Sequence, residues 1–140
     1  MTILGVPINL LAVLVAAVAT FVLGGLWYSP LLFGKVWVRA HGYTPEKMES
    51  MRAGVGRSYA VSFLCYLVMA TVMALLIGST DTVTTLGGVR LGALCWLGFA
   101  ATIGLTANLF SDKPLATYLL DAGYQLVYMS VMGAILASWR

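Results

Sequence analysis

Long apolar runs separated by short polar connections dominate the chain. No charged side chain occurs in residues 1–34. Uncharged runs follow over residues 58–80 and 91–111, and a fourth over 122–139 reaches back to Pro114 if Asp121 is admitted. A helix rises about 1.5 Å per residue and needs about 20 mostly apolar residues to cross the hydrocarbon layer. The pattern therefore predicts an all-α, four-helix transmembrane bundle in a single domain, residues 1–140, with spans over 7–27, 59–78, 89–110 and 114–139.

The connections sharpen this outline. Pro7 suits a first helical turn, where its missing N–H is no loss, and Ser29-Pro30 stops the first span. Only one connection is long. Within it Leu31, Phe33, Val36 and Trp37 make an amphipathic piece, with Lys35 and Arg39 four apart on another face, so a short interfacial segment is expected between the first and second spans. Thr44 followed by Pro45 and Glu46 reads as a capped start of a further short helix leading into the second span. Residues 79–88 form a polar turn, and Ser111, Asp112, Lys113 and Pro114 form a tight hairpin.

Composition changes the picture only in detail. With 61% hydrophobic and 9% charged residues, the chain has far more apolar surface than a soluble core of 140 residues could hide. The net charge of +3 would raise nucleic-acid binding only if the basic residues made a groove or stripe. They flank the spans instead, where they set topology. Lys35, Arg39, Lys47, Arg52, Arg57 and Lys113 lie on one side, against Arg90 and Arg140 on the other. The positive-inside rule then puts loops 28–57 and 111–113 in the cytoplasm and both termini outside, as expected for a bacterial inner membrane. The N-terminus lacks the basic start and small-residue cleavage pattern of a signal peptide and reads as a retained helix.

Small residues recur every four positions: Ala12, Ala16, Thr20 and Gly24 in the first span, and Gly88, Gly92, Ala100, Gly104 and Asn108 around Trp96 in the third. Such stripes let helix backbones approach closely in lipid. Packing within the bundle is the plain expectation, and a homodimer through a leftover face is a second one. Cys65 and Cys95 read as free, buried thiols, and with one histidine in the chain no metal or cofactor site is expected.

Asp121 needs an explanation. It lies seven residues past Pro114, about 10 Å along the helix axis, where an ionisable group is costly unless paired or wet. The plain alternative makes it the cap of a shorter span starting at Ala122. Asn108 sits at similar depth before the hairpin, Tyr124 and Tyr128 continue the fourth helix on one face, and Trp27, Tyr28 and Ser29 end the first span on the same side. Lys35 and Arg39 are available as counter-ions. These nine residues, Trp27, Tyr28, Ser29, Lys35, Arg39, Asn108, Asp121, Tyr124 and Tyr128, form the candidate ligand-binding set. Its competing reading is an aromatic belt with a structural polar cluster.

The string from Gly25 through Leu26, Trp27, Tyr28, Ser29, Pro30, Leu31, Leu32, Phe33, Gly34, Lys35 and Val36 to Trp37 resembles the helix–loop border of a family of small bacterial four-helix membrane proteins, "domain of unknown function 1761". The Trp96–Phe99 stretch, Asn108-Leu109-Phe110, Gly123-Tyr124 and Met132-Gly133-Ala134 are also similar to it. The likeness implies fold, bacterial origin and membrane location, with no activity attached.

Three classes of function compete. An enzyme would need a nucleophile, base or metal in working geometry, and no catalytic residue is assigned, since Ser29 has no histidine at motif spacing and His41 stands alone in the loop. A small-solute or ion transporter would need an oligomer acting through Asp121. A structural or accessory protein, meeting membrane lipids, a lipid headgroup or another membrane protein through the basic loop, requires the least and leads.

Overall fold

The computed structural model describes residues 1–140. Four of its helices are long and apolar enough to cross a membrane: Leu10–Trp27, Val55–Ser79, Thr85–Phe110 and Leu115–Ser138. Two short helices, Gly34–His41 and Pro45–Arg52, occupy the long connection. Each start has a local cause. Asn9 accepts from the backbone N–H groups of Leu11 and Ala12 at 3.1 and 3.2 Å, Thr44 caps at Lys47 with Pro45 behind it, and Thr84 caps at Gly87. Gly42 closes the first short helix in the left-handed conformation that glycine adopts without a Cβ clash.

The N-terminus departs from expectation. Pro7 does not open the first helix. It pairs with Thr2 in a two-stranded hairpin, Thr2–Ile3 with Val6–Pro7, turned by Leu4 and Gly5 at positive φ, and the first span begins three residues later. The second and third spans start at Val55 and Thr85, each four residues before the expected 59 and 89, because the helices extend into the polar boundary. The short Pro45 helix also ends at Arg52, and Ala53 and Gly54 separate it from the second span.

The fourth span is the hub. It packs against the first, second and third spans, and it carries the largest buried share of the four. Ala12, Ala16, Ala70, Met73, Ile77, Met132 and Leu136 fill the space between the first, second and fourth spans, so the middle of the bundle is closed by side chains. The third span lies outside this trio, and its seam with the fourth is made of backbone. A Cβ on Gly88 would strike the Gly133 carbonyl and one on Gly133 the Gly88 carbonyl, while Gly92 lies against the carbonyl of Met129. The four-residue stripe thus does what its spacing promised.

A strict four-residue stripe should nevertheless drift, because four steps of about 100° overshoot a full turn by about 40°. From Gly88 to Asn108 the overshoot would turn the stripe to the far side of the helix. One π-helical turn at Trp96–Ala100 about halves this drift, its extra residue taking back about 100°. Below that turn Gly104 still touches Tyr118 and Asn108 still reaches Thr117 on the fourth span.

Candidate functional site at the basic end of the bundle

The connection after the first span is folded tightly. The N–H of Phe33 donates to Trp27 O and that of Gly34 to Ser29 O, both at 2.9 Å, while Ser29 Oγ donates to Leu26 O at 2.7 Å. Gly34 is buried in this turn, where a Cβ would collide with the backbone carbonyls of Tyr28 and Ser29. The turn holds Trp27 and Tyr28 against the fourth span. Trp27 Nε1 donates to Leu120 O at 3.2 Å with its ring over Gly123, and Tyr28 OH donates to Asp121 Oδ1 at 2.6 Å.

Asp121 therefore belongs to the helix interior, six residues after Leu115, and the shorter-span alternative is overturned. Its partner is also settled by geometry: Tyr28, rather than Asn108 or Arg39. Burial first, and then the hydrogen bond to Asp121, push the Tyr28 phenol above its ordinary range. The phenol keeps its proton and donates it in a hydrogen bond to Asp121 Oδ1.

A ladder of tyrosines extends from this pair toward the second span. Tyr28 meets Tyr124 edge to face at 5.4 Å, and Tyr124 meets Tyr128 at 4.8 Å. Tyr124 OH donates to Thr20 O at 2.8 Å and lies 3.2 Å from Tyr66 OH, whose ring also packs on Tyr128. Gly24 makes room for this, since a Cβ there would sit 2.6 Å from Tyr124 OH. Between the first and second spans these rings leave a crevice of about 440 Å³, walled by Phe21, Tyr28, Tyr59, Ser62, Tyr66 and Tyr124. Tyr28 also walls a recess of about 500 Å³ under the first short helix, beside Lys35, Trp37 and Met48.

Asn108 takes a separate place. Its Nδ2 donates to Thr117 Oγ1 at 3.2 Å and to Pro114 O at 3.4 Å across the hairpin. It shares with Asp121 a cleft of about 160 Å³ between the third and fourth spans, lined also by Ser111, Lys113, Thr117 and Gln125. Lys35 and Arg39 are exposed and form no ion pair, so neither is the inward counter-ion that their spacing allowed. The chain's one ion pair is at the other end, Arg140 with Asp81 at 3.4 Å.

Of the nine candidates, Trp27, Tyr28, Asp121, Tyr124 and Tyr128 thus form one connected group, Asn108 joins Asp121 at the cleft, Lys35 lies beside Tyr28, and Ser29 only closes the turn. Tyr59 and Tyr66, outside the nine, also wall the crevice and were missed by sequence reasoning. The signal was faint: on the second span Tyr59, Ser62 and Tyr66 follow a three-then-four spacing that places them on one face. Trp96 was also missed as a contact. Its Nε1 donates to Ala122 O at 2.9 Å, directly after Asp121. Both cysteines are free, with Cys65 exposed on the bundle surface rather than buried. No three His, Cys, Asp or Glu side chains converge in a metal-binding group.

The model of a family described as "Protein of unknown function (DUF1761)" matches residues 11–137. Comparisons with curated proteins and with solved structures give no match.

Proposed function

We propose, from a chain that belongs to the DUF1761 family and so inherits no activity from its name, that this is an accessory membrane protein that holds a lipid at the cytoplasmic boundary. One observation carries the reading. The ring of Tyr28 is shared by an apolar, tyrosine-walled crevice between two spans and by a recess at Lys35. An acyl chain fits the first, where aromatic faces and Gly24–Gly25 leave room. An anionic headgroup fits the second, where an ammonium waits at headgroup depth. Entry is sideways from the bilayer, because the centre of the bundle is filled by Ala12, Ala70, Met73 and Met132. The basic loop, with Lys35, Arg39, Lys47 and Arg52, supports the cytoplasmic placement of this end.

Native mass spectrometry of the protein released from nanodiscs tests this. Retention of an anionic phospholipid is expected in the wild type, with loss in Ser62→Trp, which fills the crevice, and weakening in Lys35→Glu. Equal lipid retention by all three proteins would refute the reading.

A further inference from the structure

On the side of Asp121 away from the crevice, the cleft between the third and fourth spans contains a set of oxygen acceptors that the protein itself does not use. We propose that this cleft binds a partly hydrated monovalent cation of the Na⁺ or K⁺ class, held by Asp121 Oδ2 and Asn108 Oδ1 with water completing its shell. This goes beyond lipid binding and stands without it.

The hydrogen bonds leave two acceptors of the cleft-lining residues without a donor. Thr117 Oγ1 has one proton and gives it to Pro114 O at 2.8 Å. It can therefore only accept from Asn108, and so can Pro114 O, which orients the Asn108 amide nitrogen toward both. The Asn108 oxygen is left without a donor, on a side chain nine-tenths buried, lining the cleft. Asp121 is in the same position for a different reason. Tyr28 occupies Oδ1 from the crevice side, and Oδ2 has no protein donor. Gln125 adds an unpaired amide on the same wall, one helical turn further along.

Neutral and singly charged oxygens are hard ligands suited to alkali cations. The cleft has one carboxylate, so a single positive charge neutralises it, whereas a divalent ion would leave an uncompensated charge at the membrane boundary. At about 30 Å³ per water, 160 Å³ holds an ion with part of its hydration shell. Lys113, the other charged group lining the cleft, is exposed and lies next to the hairpin proline, so it sits at the rim and competes with the ion for the carboxylate.

The test uses the full chain in nanodiscs, with NaCl or KCl exchanged against choline chloride at constant ionic strength. A saturable rise in thermal midpoint with Na⁺ or K⁺, absent with choline, is expected. Asp121→Asn should abolish it while Asp81→Asn retains it, and Lys113→Ala should move it to lower ion concentration. Since removing even an outer partner of a bound ion weakens binding by about 10–100-fold, Asn108→Leu should weaken the response by at least about tenfold. A response equal in choline, unchanged in Asp121→Asn, or weakened in Lys113→Ala would overturn the proposal. Should the Asp121 variant not assemble, ²³Na line broadening by wild-type protein decides. Saturable broadening released by excess Li⁺ supports the site, and broadening that never saturates overturns it.

Discussion

The seam between the third and fourth spans and the seam between the first and second spans solve the same problem in opposite ways. In the former, Gly88, Gly92 and Gly133 bring backbone onto backbone. In the latter, Phe21 packs edge-on against Tyr59 and Phe63 at 5.7 and 6.0 Å, ring against ring. Lipid offers no hydrophobic gain for helix association, so contact must come from close packing or from polar bonds. The glycine seam uses the first and has no room in its upper half for anything else. The aromatic seam is built of bulky rings and leaves a crevice among them. Where the glycine stripe yields to Gly104 and Asn108 near the hairpin, the polar cleft opens.

The sharpest way to break this contrast is Gly133→Val. Its side chain must displace the Gly88 backbone, and overpacking of this kind costs about 3 kcal/mol or more, so loss of the assembled bundle is expected in a thermal-stability assay. Gly25→Ala, whose Cβ meets nothing within 4 Å on the first span, should leave the midpoint unchanged. Equal effects would mean the seams do not differ.

A smaller loss is expected at the link between seams. Asp121→Leu removes the acceptor of Tyr28, and hydrogen bonds to charged groups are worth about 1.5–3 kcal/mol. Asp121→Asn should retain most of the stability, because an amide oxygen still accepts. The same link has a pH signature. The folded state holds the Tyr28 proton that the unfolded chain releases above about pH 10. The contribution of Tyr28 is therefore complete below that pH and declines as pH rises further, and alkaline unfolding should lose this part in Tyr28→Phe.

Gly24→Ala should cost less, about 1 kcal/mol, by pushing Tyr124 OH off the Thr20 carbonyl, with narrowing of the crevice measurable as reduced lipid retention. Asp81→Leu, at the exposed ion pair with Arg140, should change nothing that a melting curve resolves.

The spans were legible because bilayer thickness imposes length and apolarity on the chain directly. Asp121 was legible for the same reason: hydrocarbon makes a lone carboxylate conspicuous. Its partner was not, since Tyr28 and Asp121 meet only once the fold decides which helices are neighbours. Pro7 misled because the uncharged run 1–34 hides a hairpin, although Leu4-Gly5 ahead of Asn9 held the turn and the cap in plain view. The π-turn leaves hydropathy untouched. Its trace was geometric: a stripe spaced by four over twenty residues cannot face one partner on an uninterrupted α-helix.

The helix that the other three pack against is the last of the four to leave the ribosome. Until residues 115–138 are inserted, the third span has no partner for Gly88 and Gly92, and Asp121 has not yet met Tyr28. The first and second spans alone can associate early, through the rings of Phe21, Tyr59 and Phe63. Order of synthesis thus sets the order in which partners become available: the aromatic pair first, then the glycine face, and last the helix that meets that face and brings Asp121 to Tyr28.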